Sequence, residues 1–120
     1  MKYKKSSIIL IFLTLVLSAC SKPSVLGEWQ TEMTYTASDN TTSMERLTLR
    51  FDKDGKVYKN GQFYGQYDRK GRKRVKFFSK NRKLVFYGSF TNRHTIEGRG
   101  LHIPNDQLFA KWTAKRNAEP

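Results

Sequence analysis

Cysteine is almost missing from this chain: Cys20 is the only one among 120 residues. A single thiol excludes an internal disulfide, and it excludes the Cys/His spacing of a structural zinc site. Histidine is nearly as scarce. His94 and His102 fall eight residues apart on one expected strand, about 27 Å at roughly 3.4 Å per residue, too far to share a metal. Carboxylates are few, 10 against 23 lysines and arginines, for a net charge of +13. Of these only Glu28, Glu32 and Glu97 stand where different strands can bring acids together, and no nucleophile has a base to support it. There is no Gly-x-Ser-x-Gly elbow and no phosphate-cradling glycine loop. Asp52-Lys53-Asp54-Gly55 begins like a calcium loop but lacks the later ligands and the closing glutamate, so it reads as a hairpin turn. These absences point away from an enzyme, a metal site or a cofactor.

Long apolar runs are missing too. The longest covers residues 8–17, shorter than the roughly 20 residues a helix needs to cross a bilayer. It follows a basic head, Met1-Lys2-Tyr3-Lys4-Lys5, and leads into small residues, the build of a secretory signal peptide. Its end, Leu17-Ser18-Ala19-Cys20, resembles the bacterial lipobox, an aliphatic residue and two small ones before an obligatory cysteine. That resemblance implies that the Cys20 thiol receives a diacylglyceryl group, that a peptidase cuts before it, and that the new amino group is acylated in turn, with palmitate or a similar chain. The expected organisation is a lipoprotein signal peptide at 1–19, a lipidated tether at 20–24, a folded domain at 25–116 and a tail at 117–120. The protein is then tethered to a bacterial envelope membrane and does not span it. Ser21 is not the aspartate that resembles an inner-membrane retention signal. The periplasmic face of an outer membrane is therefore preferred, with a Gram-positive plasma membrane as the alternative.

What is abundant is aromatic and basic. Aromatic residues make up 13% of the chain, and Trp29, Phe51, Phe77, Phe86, Phe90 and Trp112 provide a core for a small domain without disulfides. From Val25 onward no helical period appears, and short alternating segments are separated by turn residues. The expected strands cover 25–36, 46–51, 56–67 (bent at Asn60-Gly61 and Gly65), 72–78, 84–90, 94–103 and 107–115. A loop is expected at 37–43 and a turn at 68–71. About seven to eight strands with hairpin connections predict an all-β fold, a small antiparallel up-and-down barrel or sandwich.

Gly27-Glu28-Trp29 in the first strand and Trp112 with Lys115-Arg116 after the last resemble the Gly-x-Trp start and basic finish of lipocalin-like barrels. The resemblance implies that Trp29 closes one end of the barrel and that Arg116, or else Lys115, covers it through a cation–π contact.

The positive charge is concentrated in Arg69-Lys70-Gly71-Arg72-Lys73-Arg74-Val75-Lys76 and Lys80-Asn81-Arg82-Lys83. Alternation places Arg72, Arg74 and Lys76 in an outward row, with Arg69, Lys70, Arg82 and Lys83 at the flanking turns. Export argues against nucleic acid as the partner, which leaves anionic lipid, envelope polysaccharide or an acidic protein face. The leading expectation is a non-enzymatic binding or assembly module that works through this basic surface. One alternative is a barrel that binds a small apolar ligand among Tyr64, Tyr67, Phe86 and Tyr87. Another is an inhibitor of an exported enzyme.

Overall fold

A computed structural model of the chain describes residues 23–117. The segment expected to be a signal peptide, 1–19, and the expected lipidation site Cys20 lie outside the described residues. Eight strands follow one another: β1 Gly27–Thr36, β2 Thr42–Phe51, β3 Lys56–Lys59, β4 Gln62–Lys70, β5 Arg74–Ser79, β6 Leu84–Asn92, β7 Thr95–His102 and β8 Gln107–Lys115. Each pairs antiparallel with its neighbours in sequence, and β1 pairs with β8, so the sheet closes into an up-and-down barrel. Closure removes both sheet edges.

The eighth strand comes from a division of the single bent strand expected over 56–67. Asn60 and Gly61 both have positive φ, 50° and 82°, the geometry of a two-residue hairpin whose twist matches the flanking strands. Asn60 also ties that turn to β2, donating its N–H to Thr48 O at 2.8 Å and accepting from Thr48 N at 2.9 Å. The next turn lies later than the expected 68–71. β4 runs to Lys70, and the reversal occupies 71–73 with Gly71 at φ 73°. Arg72 therefore sits in a turn and not on β5. His94 likewise lies in the turn before β7, and β2 begins at Thr42, which shortens the loop expected at 37–43.

Alternation sends Trp29, Thr31 and Met33 of β1 inward, opposite Leu49, Leu47 and Glu45 of β2. Val57, Val75, Phe77, Phe86, Phe90, Ile96, Ala110, Trp112 and Ala114 complete the core. Its widest side chain lies in a niche made by glycine. A Cβ at Gly88 would stand 2.7 Å from the Trp112 ring and one at Gly98 2.6 Å from it, so the indole occupies the space that side chains would have taken.

The chain enters at one end, which is sealed. Trp29 is fully buried and donates its indole N–H to Val25 O at 2.8 Å. The Arg116 guanidinium lies 4.1 Å from the Trp29 ring centroid. It also donates to Leu26 O at 2.9 Å, to Arg93 O at 3.0 Å and to Ser24 O. Arg69, expected on the outer basic surface, is here as well. Because β4 continues past Tyr67, alternation turns Arg69 inward beside Val75. Its guanidinium lies 4.9 Å from the Phe90 ring centroid and donates to Pro23 O and Arg72 O, each at 2.7 Å. Burial draws its pKa below the usual guanidinium range.

Arg116→Ala removes a desolvated cation–π contact and leaves three carbonyls without that donor, a loss of about 3–5 kcal/mol. In thermal unfolding the melting temperature is expected to fall by at least about 10 °C. Arg116→Lys, which keeps the charge but not the fork, is expected to fall between the two.

Candidate functional site

The opposite end of the barrel, ringed by the turns at 37–41, 60–61, 80–83 and 103–106, is less completely filled. A cavity of about 270 Å³ is lined by Met33, Tyr35, Leu47, Leu49, Lys59, Tyr64, Phe77, Leu84, Phe86 and Phe109. Its wall is aromatic. Phe77 and Phe86 stack at 4.6 Å, Tyr64 meets Phe86 edge-on at 6.0 Å, and Tyr35 stacks on Phe109 at 6.2 Å.

Local register explains each of these positions. A bulge in the β3–β4 pairing sets Val57 opposite Gly65 and Tyr58 opposite Phe63, which leaves Tyr64 as the extra residue, turned into the cup. Gly65 permits the approach to β5, since a Cβ there would lie 1.7 Å from Phe78 O. On β8 a second irregularity, between Gly100 and Leu101, brings Phe109 to the inner side.

One polar group stands at the rim. The Tyr35 hydroxyl donates to Glu45 Oε1 at 2.8 Å, and Lys59 Nζ lies 3.3 Å from the same oxygen. The hydrogen bond from Tyr35 holds the Glu45 carboxyl below its ordinary range against the opposing effect of burial, and Lys59 adds to the lowering. Burial first, then the bond to Glu45, raises the Tyr35 phenol well above its ordinary value. Burial, with the Glu45 charge adding, pushes Tyr64 up to about 12. At neutral pH the cup therefore presents one carboxylate, one ammonium and two neutral phenols to whatever enters.

Of the four residues expected to line a pocket, Tyr64 and Phe86 do so. Tyr67 points into the closed half, where its hydroxyl donates to Asp52 O at 2.6 Å, and Tyr87 stands outside at 39% exposure. Glu45 and Lys59 were not expected. Glu45 shares the parity of Leu47, Leu49 and Phe51 and would have appeared on their face had the strand been read one residue further back.

The expected outward row is divided. Arg74 and Lys76 lie on β5, Lys70 and Arg72 flank them at the closed base, and Arg82 and Lys83 occupy the turn at the mouth. Lys76 stands 5.3 Å from the Tyr87 ring centroid, and Tyr87 pairs with Arg99, which pairs with Lys111. A belt of cations thus runs around one side of the barrel. Val85 faces outward too, yet is buried. It lies between Phe78 and Leu101, and the Arg82 guanidinium covers the Phe78 ring at 4.2 Å. Glu32 is paired with Arg46 at 3.3 Å on the outer wall.

Two of the concavities larger than the cup, about 780 and 540 Å³, are depressions in that outer wall. The first is lined mainly by polar side chains such as Gln30, Glu32, Arg46, Thr48 and Glu97. Neither is enclosed by rings as the cup is. Among the described residues no group of histidine, cysteine, aspartate and glutamate is arranged to hold a metal ion. Among the same residues no helix is long and apolar enough to cross a membrane. The outer wall bears Glu32, Arg46, Arg74, Arg99 and Lys111 where a membrane-embedded barrel carries an apolar band.

No family model and no curated protein matches the chain. Among solved structures it is similar to a redesigned beta barrel, at 15% identity and a TM-score of 0.49, over 78% of this chain and 92% of that one.

The depressed Glu45 pKa carries a sign for stability. Its contribution is complete above the ordinary value of 4.5 and is lost as pH falls through the lower folded value. Solvent screening at a side chain 41% exposed keeps the effect under about 1 kcal/mol. In urea titrations at pH 7 and at acid pH, Glu45→Gln is expected to lose less stability on acidification than the parent protein.

Proposed function

We propose that this protein is a lipid-anchored bacterial envelope lipoprotein whose lipocalin-like barrel acts as a non-enzymatic binding module, taking a small, mainly apolar ligand with one polar end into the mouth. The observation that carries the reading is the cup itself: aromatic and aliphatic walls with the Tyr35–Glu45–Lys59 group at the rim. A preformed apolar cavity with a few convergent polar groups is the usual form of a small-molecule site. At about 270 Å³ the space falls just below the roughly 300–1,000 Å³ of drug-sized sites and suits one or two fused rings or a short acyl segment. The lipobox Leu17-Ser18-Ala19-Cys20 supports the anchor and the envelope location. The contact of Arg116 with Trp29 agrees with the closure that the lipocalin-like resemblance implies.

A second reading keeps the basic surface as the binding element. It is favoured by the cationic belt of Lys76, Arg99 and Lys111 around Tyr87, which suits an acidic protein face or an envelope polysaccharide.

The cup is tested by calorimetric titration of the full-length protein with 1-naphthol. Saturable binding near one equivalent is expected. Leu84→Trp, which fills the cup from a half-buried rim position, is expected to weaken it by about ten-fold or more while leaving thermal unfolding close to the parent value. Unsaturable uptake, or binding indifferent to Leu84→Trp, would discard the cup as the site.

A further inference from the structure

The barrel holds its own entry segment by the main chain. Four consecutive carbonyls are each taken by a side chain of the closed base: Pro23 O by Arg69, Ser24 O by Arg116, Val25 O by Trp29 and Leu26 O by Arg116. These donors come from β1, from β4 and from the residue after β8, so the clamp joins parts of the chain distant in sequence. Two arginines are spent on a segment with no strand pairing of its own. The clamp fixes where the chain leaves the domain.

Only Ser21 and Lys22 separate the clamped Pro23 from Cys20. Three residue steps reach about 10 Å when fully extended. On the reading that Cys20 carries lipid, the sealed base is thus held within the headgroup region or directly above it. The base is also where exposed cations gather. Lys70, Lys73 and Arg74 are exposed around the 71–73 turn and pair with no carboxylate among the described residues. Exposed Arg72 extends that cluster, and Lys115 lies at the same end. Of the acids near the base, Asp52 and Asp54 sit on the β2–β3 turn, where Asp52 Oδ1 accepts from the amides of Asp54 and Lys56, and Glu28 lies opposite Arg50. On the β4–β5 side Asp68, opposite Lys76, stands against Lys70, Arg72, Lys73 and Arg74. The base is therefore asymmetric, basic on the β4–β5 side.

We propose that the closed base is a membrane-docking face, seated on anionic headgroups through Lys70, Arg72, Lys73 and Arg74, so that the mouth opens away from the bilayer. Lipid and charge then act as two coupled anchors, and neither has to be strong alone. With β1 ten residues long and barrel strands tilted, the mouth stands about 25 Å above the headgroups.

This inference rests on the anchored reading, and its test separates the two. Once lipidated, Cys20 has no free thiol, so one introduced cysteine can be labelled specifically. His94→Cys reports on the base and Ser38→Cys on the mouth, both at exposed positions. Full-length protein carrying a fluorophore at either position is placed in nanodiscs of phosphatidylglycerol and phosphatidylcholine that contain a headgroup spin label. Quenching at 94 is expected to exceed that at 38 by about three-fold. The difference should narrow in high salt and in Lys70→Gln/Lys73→Gln/Arg74→Gln. Equal quenching at the two positions, or a difference that the triple variant leaves intact, overturns the docking face if intact mass shows lipid on Cys20. A mass without diacylglyceryl overturns the anchored reading and the docking with it.

Discussion

The contact of Arg116 with the face of Trp29 is the constraint on which the rest of the molecule depends. A closed antiparallel barrel needs its first and last strands to meet, and the β1–β8 pairing begins at Gln30 with Lys115, next to this stacked pair. A guanidinium can fill the role where an ammonium cannot. Its flat face lies over the indole while its edge donates to carbonyls of Ser24, Leu26 and Arg93, which a compact point charge would leave wanting. Burying that charge costs desolvation, and the carbonyl acceptors together with the ring face offset it. Arg69 repeats the device over Phe90. The sealed end is therefore plugged by two cations on aromatic rings, beside the buried Val25 and Val75.

The same plug determines where space is left. Trp29, Phe90 and Trp112 fill the base and middle of the barrel, and Trp112 fits because Gly88 and Gly98 have no side chains beneath it. A barrel of eight short strands has room for little more than its own side chains. The remaining volume lies at the other end, where Tyr35, Tyr64 and Phe109 stand around it and leave it partly open. Polarity follows the same division. Deep in the barrel the buried hydroxyl of Thr31 is satisfied locally by Trp29 O at 3.2 Å, whereas Glu45 and Lys59 appear only at the rim, within reach of water.

Much of this was legible in the residues. Strict alternation through Leu47, Leu49 and Phe51 announces a strand with one buried face, and hairpin-length connections announce the strand order. On β8 the same alternation holds for Ala110 and Trp112 but fails at Leu108, which is exposed because the irregularity opposite Gly100 and Leu101 turns Phe109 inward in its place. The Trp29 and Arg116 pairing was suggested by the ends of the domain. The misplacements share one cause, the position of a turn, because a shift of one or two residues decides which face a side chain takes. Asn60-Gly61 read as a kink hid a complete hairpin, and a turn placed at 68–71 put Arg69 outside. Starting β2 at Arg46 excluded Glu45 from the inner face. Chemistry alone makes Tyr64 a lining candidate, but what brings it inside is the bulge after Val57, and no periodicity announces a bulge.

Sealed base and open mouth then give the domain a direction that its sheet alone would not have. An up-and-down barrel has similar hairpins at both ends, and nothing in its hydrogen bonding distinguishes them. Here the distinction comes from side chains: arginines turned inward at one end grip the main chain of the entry segment, while at the other Glu45 and Lys59 meet on neighbouring strands at the rim. Gripping backbone carbonyls makes the base indifferent to side chains at Pro23 and Ser24, so the exit point is set by main-chain geometry. An entry segment held that way puts no strain on the barrel, since any load on it is borne by hydrogen bonds outside the β ladder. The mouth is then free to carry the polar rim and the incompletely filled volume, because closure of the barrel at the base does not depend on it.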